Sequence, residues 1–330
     1  MRYNTLHQTR HAVSVLTIAG LLILLFGAGI AAATSPPAET ATDIQPLVDV
    51  EWIKANSCND NVRVIDIRSD LDGGSRTDYL RGHIPCALYS NYLKAGWRAE
   101  DKNKVPGQLP PVDKLEALIG GLGIDQDTHV VIVPAGKKAL DMGAAARMYW
   151  TFKVLGHDAV SILDGGLAAY TKDKKNPLAK GNEKPEAKTF KANLRDDLLV
   201  DKDDVMAAID AGTLLVDNRP SDQYIGINRH PKAARNGTIP GAKNLPENWQ
   251  TENNGGSFRD VDTLKQLYAL AEIPTEGDQI NFCNTGHWAA LGWFASHELL
   301  GNDQAKVYDG SMLEWSSDSS APMEQKVTLQ

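Results

Sequence analysis

The sequence predicts an α/β protein built from two tandem domains, each a doubly wound parallel sheet. Three observations carry this. Short β-branched runs alternate with helical patterns along the chain, the order that gives parallel strands covered by helices on both faces. The same series of signals occurs twice in the same order. And 330 residues exceed what one typical hydrophobic core organises.

Taken in order, Arg2, Arg10 and His11 precede an apolar, uncharged run from Ala12 to Ala33 that ends in Ala31-Ala32-Ala33. This is either a cleaved signal peptide or, at its length, an uncleaved membrane anchor, covering 1–33. Either way the folded part is expected outside the cytoplasm, in a bacterium in the periplasm, with the membrane touched only through this segment. Residues 34–45, with Ser35-Pro36-Pro37, read as a disordered tether. The first domain, 46–175, then shows a helix near Pro46 to Asn56, a strand Val62 to Asp66, a helix Val112 to Leu122, a strand Val130 to Val133, a helix Gly143 to Leu155 and a strand Val160 to Leu163. Residues 176–197, rich in Lys, Pro, Asn and Glu, are the linker, with its charges read as solvated surface. The second domain covers 198–320 and a tail 321–330.

The repeat defines the second domain. Val62 to Ser69 is answered by Leu214 to Pro220, and Gly82-His83-Ile84-Pro85-Cys86-Ala87 by Gly237-Thr238-Ile239-Pro240-Gly241-Ala242. Val130 to Val133 is answered by Gln279 to Phe282, Gly156 by Gly301, and Asp164-Gly165-Gly166 by Asp309-Gly310-Ser311.

Composition narrows the function. Hydrophobic residues make up 42% and the net charge is -8. There is no basic surplus to suit nucleic acid, so small molecules or proteins are the expected partners. The three cysteines, Cys58, Cys86 and Cys283, form no CxxC, which argues against a zinc ribbon or a dithiol site. His83 and Cys86 lack further ligands for a metal. No metal or cofactor is expected.

Cys283 stands out because it lies between a strand, Gln279 to Phe282, and an Ala-rich helical run after His287. Successive N–H groups in such a turn, with the helix N-terminus behind them, favour a thiolate and hence a nucleophile. The alternative is a buried structural cysteine at a strand end.

With both copies in view, the chain resembles the two-domain rhodaneses, the thiosulfate and 3-mercaptopyruvate sulfurtransferases. The residues that carry the likeness are Val216-Asp217-Asn218-Arg219 with Tyr224 and Gly226, Thr238-Ile239-Pro240-Gly241-Ala242, Cys283-Asn284-Thr285-Gly286, and Asp309-Gly310-Ser311 with Trp315. The resemblance implies a flavodoxin-like fold in each half and an active loop at the carboxyl end of a central strand of the second half. It implies a thiolate that takes a sulfane sulfur from a small donor, holds it as a persulfide, and passes it to a thiol or cyanide-like acceptor. It also implies a catalytically inactive first half that walls one side of a cleft. Indeed Val133-Pro134-Ala135-Gly136 stands there without a cysteine.

On this reading Cys283 is catalytic, and the N–H groups of the six residues Cys283, Asn284, Thr285, Gly286, His287 and Trp288 form a cradle around its sulfur. His287 is either a cation or acid beside the donor or an exposed loop histidine, and Trp288 is a packing wall. Asp217 and Arg219 support the loop, while Asp66, Arg68 and His83 play a structural part in the first half. The loop departs from both well-known types in Asn284-Thr285 and His287-Trp288, and Gln223 replaces the arginine of vertebrate thiosulfate enzymes. Donor identity therefore stays open. Arg229, His230, Lys232 and Arg235 either close over an anionic donor or form a basic surface loop. Cys58 and Cys86 either form a disulfide or stay free. The rival readings are a persulfide carrier or binding module for an exported partner protein, and a cysteine phosphatase or arsenate reductase. The last needs an arginine where Ala289 stands.

Overall fold

The computed structural model describes residues 44–328; the expected signal or anchor segment and nearly all of the tether lie outside them. In the first half the strands are β1 (Leu47–Val48), β2 (Val62–Asp66), β3 (Leu88–Tyr89), a small antiparallel pair β4 (Ala99–Glu100) and β5 (Pro106–Gln108), then β6 (His129–Val133) and β7 (Val160–Leu163). The helices are α1 (Val50–Asn56), α2 (Arg76–Arg81), α3 (Val112–Gly121), α4 (Ala139–Val154) and α5 (Gly166–Tyr170). The second half holds β8 (Leu199–Val200), β9 (Leu214–Asp217), β10 (Lys243–Asn244), β11 (Gln279–Phe282) and β12 (Ala305–Tyr308). Its helices are α6 (Lys202–Ala211), α7 (Ser221–Tyr224), α8 (Val261–Leu270), α9 (His287–Trp293) and α10 (Ser311–Ser317).

The two five-stranded sheets are parallel throughout and have one topology, β1-β7-β6-β2-β3 and β8-β12-β11-β9-β10. Four strands of each sheet, β7-β6-β2-β3 and β12-β11-β9-β10, follow the flavodoxin order, with the remaining edge filled by β1 or β8 from the N-terminal side. The chain leaves β9 toward one edge and β11 toward the other, so the crevice beyond their carboxyl ends is a topological switch point. Strand β11 is buried on both faces, as a central parallel strand must be.

One expectation needs correction. Pro46 to Asn56 is not one helix: Leu47 and Val48 pair with Ile162 and Leu163, and the helix begins after Asp49, whose carboxylate accepts the Trp52 N–H at 2.7 Å. The linker's Lys and Glu side chains are exposed as expected, while Phe190 is buried and the N–H groups of Lys188, Asn193 and Arg195 donate to carbonyls of Gly120, Leu155 and Val154. The tail packs too, with Glu324 bridging to Thr238 and Lys326 N–H donating to Ile225. Cys58 and Cys86 are joined as a disulfide with a Cα separation of 5.2 Å. Cys86 has φ 65°, matching Gly241 at φ 78° in the other half, so the repeat preserves this turn even where its residue differs.

The halves share one core. Helix α4 is buried on nearly all sides, as expected for a helix apolar all round. It packs its own sheet on one side and α9 on the other, with the Tyr149 and Phe294 rings edge to face at 4.8 Å. That junction brings first-half residues to the cysteine loop.

Candidate active site

Cys283 follows β11 directly, and the loop to α9 is four residues long, ending on Gly286 at φ 73°. A Cβ at Gly286 would lie 2.2 Å from Arg147 Nη1, so glycine is required by conformation and by space. The turn after β12 clamps the loop. Ser311 Oγ accepts the N–H groups of Cys283 (3.1 Å) and Gly286 (3.2 Å) while its hydroxyl donates to Tyr308. Met312 and Leu313 N–H donate to the carbonyls of Cys283 and Asn284. The expected cradle is thereby corrected in part: two of its N–H groups hold the serine. Those of Asn284, Thr285, His287 and Trp288 have no hydrogen-bond partner among the described residues and are free for a charged sulfur.

Cys283 is 1% exposed and lies at a cavity of about 500 Å³. Leu71, Leu93, Leu140, Trp288 and Leu313 give the cavity apolar walls, and Arg98, His230 and Lys232 bring cationic or ionisable groups. Asn284 donates to Gln223 Oε1 at 2.9 Å, and Thr285 offers its carbonyl to Arg98 Nη2 at 2.8 Å. Trp288 lines the cavity and is half-buried.

His287 is neither cationic nor an exposed loop residue. Its Nε2–H donates to the Leu140 carbonyl at 2.8 Å, and its Nδ1 accepts the Tyr92 hydroxyl at 2.9 Å. The carbonyl puts the neutral ring's proton on Nε2 and leaves Nδ1 to accept. Burial, then the Arg98 charge, pushes its pKa down to about 3. The basic segment also divides. Arg235 donates to the carbonyls of Trp315, Ser316, Asp318 and Ala321, and Arg229 to Ala233 and Asn236, so both hold structure. His230 and Lys232 face the cavity, and burial and then Lys232 lower the His230 pKa.

Arg219 follows β9, the strand beside β11. It grips Asp217 through Nε and Nη2 and donates to the Gly237 carbonyl at 2.9 Å. Arg68 repeats the fork in the first half, on Asp66 and the Gly82 carbonyl at 2.9 Å. A fork present in a half with and a half without the loop cysteine is a brace of the fold. His83 is buried against Tyr79, stacked at 4.0 Å.

Sequence reasoning missed Tyr92, Arg98 and Arg147, all from the first half. Arg147 is 1% exposed and pairs with Asp309; burial opposes its charge, and Asp309 more than offsets that. A single arginine in the apolar run from Gly143 to Leu155 was the available signal.

The rhodanese-like domain profile matches residues 49–173 and 201–318. A protein of Saccharopolyspora erythraea is 32% identical over 286 residues, covering 84% of this chain and 95% of its own. The thiosulfate sulfurtransferase of Bos taurus is 29% identical over 281 residues, covering 82% of this chain and 91% of its own. The structure of SseA from Escherichia coli, described as a 3-mercaptopyruvate sulfotransferase, is 26% identical with a TM-score of 0.70, over 81% of this chain and 98% of that one. The chain thus belongs to the rhodanese-like family, as two such domains in tandem, of which only the second has a cysteine in the loop after its fourth strand.

Proposed function

We propose that the protein is a sulfurtransferase that carries a sulfane sulfur on Cys283. The observation that carries this is a single buried cysteine at the sheet's switch point, opening on a cavity and followed by a loop in which four N–H groups have no hydrogen-bond partner among the described residues. The likeness to the thiosulfate sulfurtransferase of Bos taurus and to the 3-mercaptopyruvate sulfotransferase SseA of Escherichia coli supports the class. With thiosulfate, the Cys283 thiolate attacks the sulfane sulfur. A Sγ–S bond forms, the donor's S–S bond breaks, and sulfite leaves with the electron pair. A thiol or cyanide then attacks the outer sulfur, the Sγ–S bond breaks, and the thiolate returns. The free N–H groups stabilise the thiolate and the persulfide alike.

Arg98 and Lys232 suit an anionic donor, either thiosulfate or 3-mercaptopyruvate. Neutral His287 supplies shape and not charge. The loop has Ala289 where a phosphatase needs an arginine clamp, which disfavours phosphate chemistry. We also place the folded part outside the cytoplasm, released or anchored through residues 1–33. The basic start, the apolar run and the Cys58–Cys86 disulfide support that reading. Steady-state kinetics with cyanide as acceptor test the chemistry. Parallel double-reciprocal lines are expected for a covalent intermediate, with turnover on at least one of the two donors. Turnover on neither, or intersecting lines, would count against it.

A further inference from the structure

The loop is held in place largely by the half that lacks the nucleophile. Arg147 projects from α4, where every neighbouring position is buried, and its charged partner, Asp309, belongs to the other half. A buried guanidinium is costly unless its partners are in good geometry, and these partners point at the cysteine. Asp309 opens the turn whose Ser311 Oγ holds the Cys283 and Gly286 N–H groups, and whose next two N–H groups hold the Cys283 and Asn284 carbonyls. Asp309 is also pinned to the first half, accepting the Leu109 N–H on Oδ2 at 2.6 Å and the Gln108 amide on its carbonyl at 3.3 Å. Arg147 Nη2 reaches the Gly107 carbonyl at 3.3 Å, and the Trp150 ring covers the guanidinium at 4.5 Å. The missing Cβ of Gly286 would fall 2.2 Å from Nη1 and 2.5 Å from Asp309 Oδ1, so the ion pair fills the space directly beneath the loop.

We propose that Arg147 is a positioning residue for Cys283, acting across the junction by tying Asp309, the Gly107 carbonyl and the underside of the loop into one rigid seat. The first half is then a working part of the site and not only a wall. The planar fork matters: a lysine can meet Asp309, but as a point charge it cannot span Asp309 and Gly107 together. The proposal rests on Cys283 being the sulfur carrier.

The test is single-turnover loading of sulfur onto Cys283 from thiosulfate, followed by intact mass, in the wild type, Arg147→Lys and Arg147→Gln, with near-UV circular dichroism on each. Misplacement of a reacting group by about 1 Å costs on the order of 100-fold. Arg147→Gln should therefore load about 100-fold more slowly at saturating donor, and Arg147→Lys should fall between it and the wild type. Half-saturating donor concentration should be unchanged, because Arg98 and Lys232 are intact. Should Arg147→Gln fail to fold, Arg147→Lys decides alone, and wild-type loading in it would overturn the proposal. Wild-type rates in both variants, or a change confined to donor affinity, would overturn it equally. A wild-type protein that takes no sulfur on Cys283 would instead overturn the functional reading beneath it.

Discussion

Replacing Arg219 with alanine removes one member of an ion pair whose side chains are 1% and 0% exposed. The guanidinium contacts both Asp217 oxygens and the Gly237 carbonyl. In Arg219→Ala, Asp217 keeps the Thr238 hydroxyl at 2.7 Å and the backbone N–H of position 219, but has no countercharge. Breaking a buried pair in this way costs about 3–5 kcal/mol, a large share of the roughly 5–15 kcal/mol that holds a typical fold. At about 2–4 °C per kcal/mol for a large domain, the thermal midpoint should fall by about 6–20 °C. Arg219 does not line the cavity, so the folded variant should keep its donor half-saturation. Arg68→Ala breaks the same fork in the half without the loop cysteine and should lower the midpoint in the same direction. The assay is a melt followed by near-UV circular dichroism, paired with kinetics well below the midpoint. An unchanged midpoint with weakened donor binding would refute the reasoning and make Arg219 a donor contact.

Three further outcomes follow from the same geometry. His287, at about 3, and His129, at about 4, both titrate below the ordinary 6.5 because burial disfavours their charged forms, with Arg98 and His157 adding to it. The unfolded chain therefore binds more protons between these values. The stability the two rings contribute is complete above pH about 6.5 and is lost as pH falls toward 4 and then 3. Urea midpoints at pH 7, 6 and 5 should decline, and less steeply in His287→Gln; an equal slope in the variant would contradict the buried neutral ring. Gly286→Ala should nearly abolish sulfur loading, since the methyl meets Arg147 and the residue must hold φ 73°; wild-type loading would show that the loop is not so constrained. Cys58→Ser with Cys86→Ser opens a disulfide spanning 28 residues and should cost about 3–4 kcal/mol by loop entropy. Denaturant unfolding with no difference between this variant and oxidised protein would remove the disulfide as a stabiliser.

Much of the fold was legible because the repeat carries it. Strands β2, β6, β7 and β9 are mostly apolar runs bounded by turn residues, the signature that burial on both faces leaves, and β11, half polar as Gln279-Ile280-Asn281-Phe282, is marked by its place in the repeat. Strands β1 and β8 were not legible: two residues at a sheet edge leave no period, and Leu47 and Val48 become a strand only by pairing with β7. At the site, the strand, the turn and Gly286 announced Cys283. The state of His287 could not be read, because its neutrality depends on Leu140 and Tyr92, well over a hundred positions away in sequence. The same holds for Arg98, which meets the Thr285 carbonyl 187 positions away, and for Arg147, which meets Asp309 162 positions away. Ser311 was visible as part of a motif, but its two hydrogen bonds into the loop were not.

The most direct measurement of the central claim is the intact mass of purified protein before and after one equivalent of thiosulfate or 3-mercaptopyruvate, and again after cyanide. The account predicts a gain of one sulfur atom that maps to the Cys283 peptide, disappears with cyanide, and is absent in Cys283→Ser, whose fold is unchanged. Sulfur transfer at a wild-type rate by Cys283→Ser, or a persulfide located on another residue, would contradict it.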